Sequence, residues 1–267
     1  MTRAVPDVPT GSAPVHASAA RGYAVAAETY AQGRPAYPDA AAAWLTEIVG
    51  LAPGRTVLEL GAGGGKFTLR LAATGARVLA LEPVAEMRQR LARALPDVVA
   101  LAGTAQAVPL PDASVDAVVC AQSFHWFAAP DALAEIRRVL KPGGRLGLIW
   151  NVRDETVPWV AALSDITNAL EGDAPRYRTG EWRRLFPAEG FEALETRTAD
   201  NPHLGSSEDV IVRRTLSVSF IAALPDDRRA EVERRVRALV AGEPGLAGPG
   251  PVAFPYETRM YAWRRTG

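Results

Sequence analysis

Several features that would indicate particular classes of protein are scarce in this 267-residue chain. A single cysteine, Cys120, permits no internal disulfide and suggests no metal cluster, and His16 and His203 show no metal-ligand spacing. Lysine plus arginine equals aspartate plus glutamate at 30 each, so the chain lacks the basic field that usually accompanies nucleic-acid binding. No apolar run approaches the ~20 residues of a membrane span. We therefore expect no metal, no nucleic-acid partner and no membrane partner.

The N-terminal segment also lacks regular structure signals. Residues 1–19 are rich in proline, alanine and serine without periodicity, which predicts a disordered lead. The segment has no apolar core of signal-peptide type, so a cytoplasmic location is expected. Residues 20–267 are long enough for one domain, which we divide into a cofactor-binding core at 39–150 and a substrate-lid and C-terminal part at 151–267.

The most informative segment is a glycine-rich stretch that follows a predicted buried strand, Val57 to Gly65. Glycines at 61, 63 and 65 allow a tight turn that presents backbone N–H groups to a ligand. The apolar spacing of positions 67, 69 and 71 predicts that a helix begins after the turn. A strand, a glycine turn and a helix in this order form the nucleotide-binding corner of an open α/β sheet.

Two classes of ligand use such a corner, and the residues distinguish them. A dinucleotide fingerprint reads G-x-G-x-x-G, whereas the third glycine position is Lys66 here. Glu59 would be unfavourable beside two phosphates, but a carboxylate suits the ammonium group of S-adenosylmethionine, which has no phosphate. Glu82, 21 positions after Gly61, ends the next predicted strand and can accept hydrogen bonds from the ribose of either ligand.

In these motifs the chain resembles the class I S-adenosylmethionine-dependent methyltransferases over roughly residues 20 to 150. The resemblance implies an α/β fold with a Rossmann-like, doubly wound, seven-stranded sheet, mostly parallel with a C-terminal antiparallel strand and helical lid insertions. Family members often carry an acid where this chain has Thr104, at the segment that frames the adenine. The cofactor-binding residues implied by the resemblance are Glu59, Gly61, Ala62, Gly63, Gly65, Glu82, Pro83, Thr104, Ala105 and Gln122.

A lid segment precedes this core. Small-molecule members of the family carry a similar Tyr…Arg-Pro-x-Tyr-Pro sequence across the cofactor, here residues 30–38. The resemblance implies that Tyr30 approaches the methionine end and that Arg34 binds a carboxylate of cofactor or substrate. The alternative is that the aromatic side chains, including Tyr37, only pack the first helix onto the sheet.

The end of the fourth predicted strand, Gln122 to Phe127, is where the chemistry is expected, because ligands bind beyond the carboxyl ends of parallel strands. The chain lacks the Asn/Asp-Pro-Pro-aromatic motif of the nucleic-acid and protein-glutamine enzymes, and it is similar to trans-aconitate and quinone-biosynthesis methyltransferases. His125 is the candidate general base for a hydroxyl, phenol or carbon acid, whereas a carboxylate acceptor needs none. The alternative role of His125 is to shape the pocket. The substrate-pocket candidates are Tyr37, Ser123, Trp126, Asn151 and Arg153, with Arg176 and Arg178 as weaker ones.

These patterns predict methyl transfer from S-adenosylmethionine to a small organic acceptor, leaving S-adenosylhomocysteine. A catalytically silent S-adenosylmethionine-binding sensor or partner subunit remains an alternative, and an NAD-dependent oxidoreductase is a further one. The remaining elements predicted are helices at 39–49, 159–170, 179–186 and 226–241, a helix followed by an extended piece at 206–222, and strands at 190–196 and 252–264.

Overall fold

The computed structural model describes residues 34–248 and 250–267. The predicted lead at residues 1–19 and the predicted lid residue Tyr30 lie outside the described residues. Within the described ranges there are nine strands, with the bounds β1 Thr56–Leu60, β2 Arg77–Leu81, β3 Val99–Leu101, β4 Val115–Ala121, β5 Leu140–Arg153, β6 Phe191–Asp200, β7 His203–Gly205, β8 Val252–Phe254 and β9 Tyr256–Arg265.

Seven of these strands form one sheet in the order β3-β2-β1-β4-β5-β9-β6, and β7 and β8 form a separate antiparallel pair. All neighbours in the large sheet are parallel except β9, which is antiparallel to both β5 and β6. The predicted Rossmann-like sheet with a C-terminal antiparallel strand is therefore confirmed. The strand order reverses between β1 and β4, which is the position where open α/β sheets bind their ligands.

The α-helices described are α1 Asp39–Glu47, α2 Thr68–Ala72, α3 Ala85–Ala94, α4 Pro130–Val139, α5 Pro158–Asn168, α6 Arg214–Leu216, α7 Ser219–Ala222 and α8 Asp226–Gly242. Because neighbouring strand residues point to opposite faces, the sheet contributes to two separate apolar clusters. Trp44 of α1 covers one face so closely that a Cβ on Gly147 would lie 2.7 Å from its ring. Ile136 and Val139 of α4 pack on the other face.

A third apolar cluster forms a helical cap from α5, α8, β8 and a π-helical segment, Glu208–Arg213. The helix predicted at 226–241 is confirmed as α8, and it is amphipathic: Val232 and Val236 are buried, while Leu239 and Val240 pack partly buried against the same cluster. Next to this cap, Arg214 of α6 and Tyr256 of β9 line the candidate site.

Three of the predicted elements are wrong in detail. Residues 179–186 hold only a short 3₁₀ helix, Glu181–Leu185, after Gly180 in a left-handed conformation. The segment 206–222 contains the π-helical segment Glu208–Arg213 followed by α6 and α7. The extended piece, β7, precedes these helices instead of following them. The predicted strand at 252–264 is divided at Pro255, which has no backbone N–H for a ladder hydrogen bond, so β8 and β9 join different sheets.

The start of the fifth strand is irregular. β5 begins at Leu140, directly after α4, and pairs there with Val115. The register then shifts before Ala117 pairs with Arg145, so the Pro-Gly-Gly sequence at 142–144 lies within an irregular strand. Cys120 is a fully buried free thiol on β4, as expected for a small apolar residue, and burial raises its pKa well above the usual value.

Candidate cofactor site

The glycine turn after β1 is held by the neighbouring strand. The N–H groups of Gly61 and Ala62 donate to the carbonyl of Leu81 at 2.9 and 3.2 Å. Gly61 has a φ of +70°, and a Cβ on it would lie 2.8 Å from Cβ of Ser123. The turn therefore excludes a side chain at position 61 for two reasons, the left-handed backbone and the close approach of β4.

Glu82, just beyond the end of β2, is fixed by the glycine turn itself. The N–H of Gly63 donates to its Oε2 at 2.8 Å, and the N–H of Val84 donates to its Oε1 at 2.9 Å. The side chain is buried, and burial raises its pKa despite these two hydrogen bonds. Each oxygen keeps one further acceptor site, so the carboxylate is oriented to receive two hydroxyl groups.

Glu59 lies on β1 at the floor of the same site. It is buried, and its Oε2 accepts a 2.6 Å hydrogen bond from the hydroxyl of Thr68, at the start of α2. Burial raises the pKa of Glu59 to about 8, although the Thr68 hydrogen bond acts in the opposite direction. A buried carboxyl of this kind becomes favourable as an anion when a cation is placed beside it.

A cavity of about 490 Å³ lies above these two carboxylates. Its lining contains all the predicted cofactor residues that the structure describes, together with four of the five substrate-pocket candidates. They are Arg34, Glu59, Gly61, Ala62, Gly63, Gly65, Glu82, Pro83, Thr104, Ala105 and Gln122, with Tyr37, Ser123, Trp126 and Asn151.

Thr104 carries a buried polar atom that the rest of the described structure does not satisfy. Its Oγ1 is inaccessible to water and has no hydrogen-bond partner among the described residues. Buried hydroxyl groups are ordinarily hydrogen-bonded, since leaving one unpaired costs about 1–3 kcal/mol. The backbone at Gly103 packs closely against Leu81, because a Cβ on Gly103 would lie 3.0 Å from the Leu81 side chain. This end of the cavity has a polar group that a ligand can satisfy.

The residues after β4 are held in place by the neighbouring strands. Gln122 has a φ of +56°, unusual for a residue with a side chain, and its Nε2 donates to the carbonyl of Asn151 at 3.0 Å. Ser123 Oγ donates to the carbonyl of Leu60 at 2.6 Å. Both predicted residues therefore fix the end of β4 against β1 and β5 while they line the cavity.

His125 lies in the 3₁₀ helix Phe124–Trp126 and lines a second cavity, not the one above Glu59. The indole Nε1 of Trp150 donates to its Nδ1 at 3.1 Å. Burial, with the positive charges of Arg176 and Arg34 as smaller causes, lowers the pKa of His125 to about 3. A group with such a pKa is a weak base at neutral pH.

Asn151 and Arg153, both on β5, make structural contacts. Asn151 Oδ1 accepts from Thr258 Oγ1 at 2.6 Å and from Asn201 Nδ2 at 3.1 Å, while its Nδ2 donates to the carbonyl of Ala36 at 3.2 Å. Asn201 also donates to Ala36, at 2.7 Å. This amide network ties the segment before α1 to the sheet beside the cavity. Arg153 donates to the hydroxyls of two α5 residues and lines the second cavity only.

The second cavity, of about 200 Å³, shares part of its wall with the first. The shared residues are Arg34, Gln122, Trp126, Asn151, Arg214 and Tyr256. The weaker candidates Arg176 and Arg178 also line the second cavity, where both lie beside Glu171. The structure thus separates the predicted substrate residues into a group around the first cavity and a cationic group around the second.

Several residues at or beneath the site were not predicted, among them Lys66, Thr68, Arg214 and Tyr256. Lys66 directly follows the last glycine of the turn, and Thr68 lies two residues further on. Polar residues so close to the motif could have been selected from the sequence. Lys66 Nζ donates to the carbonyl of Arg34, and burial lowers its pKa to about 8. Arg214 and Tyr256 come from the cap and the last strand, far along the chain, and no motif in the sequence marks them.

Comparison with known proteins adds to this geometry. A family model described as a methyltransferase domain matches residues 58–148. An uncharacterised methyltransferase-like protein of Schizosaccharomyces pombe is 37% identical over 87% of this chain and 91% of its own length. An uncharacterised methyltransferase of Mycobacterium tuberculosis is 41% identical over 86% of this chain and 89% of its own length.

Among solved structures, a presumed type II methyltransferase from Anaeromyxobacter dehalogenans superimposes with a TM-score of 0.63 at 27% identity. The match covers 87% of this chain and 97% of that one. Within residues 34–248 and 250–267, no group of three or more histidine, cysteine, aspartate or glutamate side chains is arranged to hold a metal ion. None of the helices in those same ranges has the length and apolar character needed to cross a membrane.

Proposed function

The chain belongs to the class I S-adenosylmethionine-dependent methyltransferases, and on that premise we propose that it methylates a small organic acceptor. The observation that supports the proposal most strongly is the pair of buried carboxylates, Glu59 and Glu82, on either side of the glycine turn. S-adenosylmethionine has an ammonium group and a ribose diol, which are the two groups such a pair can bind.

The residues present fit this cofactor in four places. Glu82 is oriented by two backbone N–H groups and has capacity for the ribose hydroxyls. Glu59, whose pKa of about 8 reflects burial, is paired well by an ammonium group. The buried hydroxyl of Thr104 offers a donor or acceptor to the adenine, in place of the acid that family members often have there. Arg34, at the cavity wall, is our candidate for the cofactor carboxylate.

When bound, S-adenosylmethionine supplies a methyl carbon already activated by its positive sulfur. The residues around it therefore have to position the acceptor and exclude water. Trp126 and Phe127 give the cavity an aromatic wall beyond the end of β4, and an aromatic face stabilises a nearby cation. The left-handed turn at Gln122 directs the chain from β4 into this wall.

We assign His125 the positioning role. Its Nδ1 accepts the Trp150 N–H, and its pKa of about 3 leaves it uncharged and weakly basic at neutral pH. The best acceptor is then one that needs no base, such as a carboxylate, or one whose own proton is acidic. In this assignment His125 takes no proton from the acceptor, and S-adenosylhomocysteine would be the product.

A methyl-transfer assay tests the proposal. The full chain is incubated with S-adenosylmethionine labelled in the methyl group and with a panel of organic acids, phenols and quinone precursors, and both label transfer and S-adenosylhomocysteine are measured. We expect methylation of at least one class and its loss in Glu82→Ala. The matched control is Glu86→Ala, an exposed carboxylate four residues away. Tight cofactor binding with no methylation across the panel would instead support the sensor or partner-subunit alternative.

A further inference from the structure

The hydrogen bond between Trp150 and His125 determines which nitrogen of the imidazole carries a proton. The indole Nε1 of Trp150 lies 3.1 Å from Nδ1 of His125, and an indole N–H can only donate. Nδ1 therefore acts as the acceptor, because a proton on it would place two donors against each other. A neutral imidazole has a single N–H, so His125 carries its proton on Nε2.

The indole that makes this hydrogen bond is held by the protein core. Trp150 is fully buried on β5, and its ring centre lies 4.7 Å from that of Trp182, 5.0 Å from that of Tyr177 and 6.0 Å from that of Tyr261. Close packing of this kind fixes the plane of the indole and so the direction of its N–H. The donor towards His125 is thus in place before any ligand binds.

The other side of the imidazole is open to the second cavity. His125 is partly exposed and lines that cavity. Among the described residues Trp150 is its one hydrogen-bond partner, and Nε2 is not one of the polar atoms that are sealed from water without a partner. Because Nδ1 is turned to the core, the Nε2–H is the polar group left for a molecule in the cavity. Gln122 and Trp126 line both cavities, so such a molecule can extend towards the cofactor.

Building on the proposed function, we propose that the Nε2–H of His125 donates a hydrogen bond to an unprotonated oxygen of the methyl acceptor, a carbonyl or carboxylate oxygen. Trp150 is then a positioning residue, which keeps the proton of His125 on the nitrogen that faces the acceptor. His125 contacts the acceptor, orients it and takes no part in bond making. A fixed donor also discriminates, because an N–H or an ammonium group at the same place would leave two donors unpaired.

The first part of the test determines the tautomer and needs no ligand. Nitrogen-15 NMR of the full chain with labelled histidine should show, for His125, a protonated Nε2 and an unprotonated Nδ1 at neutral pH. Trp150→Phe keeps an aromatic ring but removes the donor, so it should give a mixture of the two tautomers. The matched control is Trp182→Phe, in the same buried cluster, whose indole donates instead to the carbonyl of Tyr177 and should leave the signal unchanged. Thermal melting confirms that both variants fold. A protonated Nδ1 in the unaltered chain overturns the proposal, as does an equal change in the two variants.

The second part tests the hydrogen bond to a ligand, with the chain saturated with S-adenosylhomocysteine. Acetophenone and benzoate, which have unprotonated oxygens, are compared with α-methylstyrene, which has the shape of acetophenone with a CH₂ group in place of the oxygen. At least one of the two oxygen compounds should bind about fivefold more tightly than α-methylstyrene and should shift the Nε2 signal of His125.

Two variants distinguish this donor from a residue that only fills space. His125→Gln has an amide N–H at about the position of Nε2 and should keep the preference for oxygen, whereas the shorter His125→Asn should lose it. No preference in the unaltered chain, no binding of either oxygen compound, or an equal preference in the two variants overturns the proposal. Failure of the unaltered chain to bind S-adenosylhomocysteine would instead contradict the proposed function, and it leaves the tautomer measurement valid.

Discussion

The hydroxyl of Thr68 donates a 2.6 Å hydrogen bond to Glu59, and both side chains are buried beneath the candidate cofactor cavity. The contact joins the end of β1 to the first turn of α2 across the glycine turn. It partly offsets the cost of burying Glu59, whose pKa is still raised to about 8. The carboxyl therefore carries a proton at neutral pH until a cation pairs with it.

Cofactor binding should depend on pH through Glu59. In the free protein its pKa is about 8, and an ammonium group beside it lowers the pKa of the bound state. Below pH 8 the free protein holds a proton that the complex releases, so affinity should rise with pH, by up to about tenfold per unit. Titrations with S-adenosylhomocysteine between pH 5.5 and 7.5, in buffers of different ionisation enthalpy, measure both the slope and the released proton.

The control for this prediction is Glu59→Gln, which keeps the shape of the side chain and removes its titration. That variant should bind more weakly at pH 7.5 and show neither the slope nor the buffer dependence. An equal slope in Glu59→Gln would mean that another group releases the proton. Thr68→Val should extend the dependence to pH values above 8, because its hydroxyl lowers the pKa of Glu59.

Thr104→Val should have opposite effects on stability and on binding. In the ligand-free protein the buried hydroxyl has no partner among the described residues, so its replacement by a side chain of the same shape should leave stability equal or raise it by about 1 kcal/mol. Cofactor affinity should fall about five- to tenfold if the hydroxyl bonds the adenine. Thermal melting and calorimetry measure the two effects. Thr46→Val, on the exposed side of α1, should change neither by a comparable amount.

The close approach of β4 to the glycine turn can be separated from backbone strain. Gly61 and Gly54 both have left-handed φ angles, +70° and +85°, but only at Gly61 would a Cβ meet another residue, Ser123 at 2.8 Å. Gly54→Ala should cost about 1 kcal/mol of the free energy of unfolding, and Gly61→Ala about 3 kcal/mol. Cofactor affinity should fall more than about tenfold in Gly61→Ala alone. Equal losses of stability in the two variants would contradict the close contact.

His125 should remain uncharged across the neutral range. Its pKa is about 3, because burial and the charges of Arg176 and Arg34 disfavour the imidazolium form, so it has no charge change to make between pH 5 and 8. Nitrogen-15 NMR of histidine-labelled protein should show one imidazole with constant shifts over this range, and His125→Asn should remove that signal. A shift with a midpoint near 6.5 would restore His125 as a candidate base.

The sequence predicts secondary structure best where the local pattern of apolar residues matches their burial in the folded protein. The strands β1, β2 and β4 are continuous apolar runs next to turn signals, and they form where expected because both faces are buried. Pro255 itself could have predicted that the last strand is divided there. The sequence has no signal that predicts the pairing of β8 with β7. The short 3₁₀ helix at Glu181–Leu185 forms where a longer helix was expected, and its Trp182 packs against Trp150 and Tyr261, contacts from distant parts of the chain that no local pattern indicates.

In the site, too, residues within local motifs were predicted and residues brought in by tertiary structure were not. Glu59, Glu82 and the glycines belong to motifs with fixed spacing, and the structure brings them around one cavity. Asn151, a predicted substrate-pocket residue, lines both cavities and also anchors the segment before α1, through partners on β9 and at residue 201. Arg214 and Tyr256 reach the site only through the folding of the cap, which no short motif describes.

The most direct test of the account is calorimetric titration of the unaltered chain with S-adenosylmethionine, S-adenosylhomocysteine and NADH, with Glu82→Ala and Glu86→Ala as paired variants. We expect micromolar-range binding of both sulfur compounds, no binding of NADH, and a loss of affinity of more than about tenfold in Glu82→Ala but not in Glu86→Ala. Undiminished affinity in Glu82→Ala, or binding of NADH in preference to S-adenosylmethionine, would contradict it.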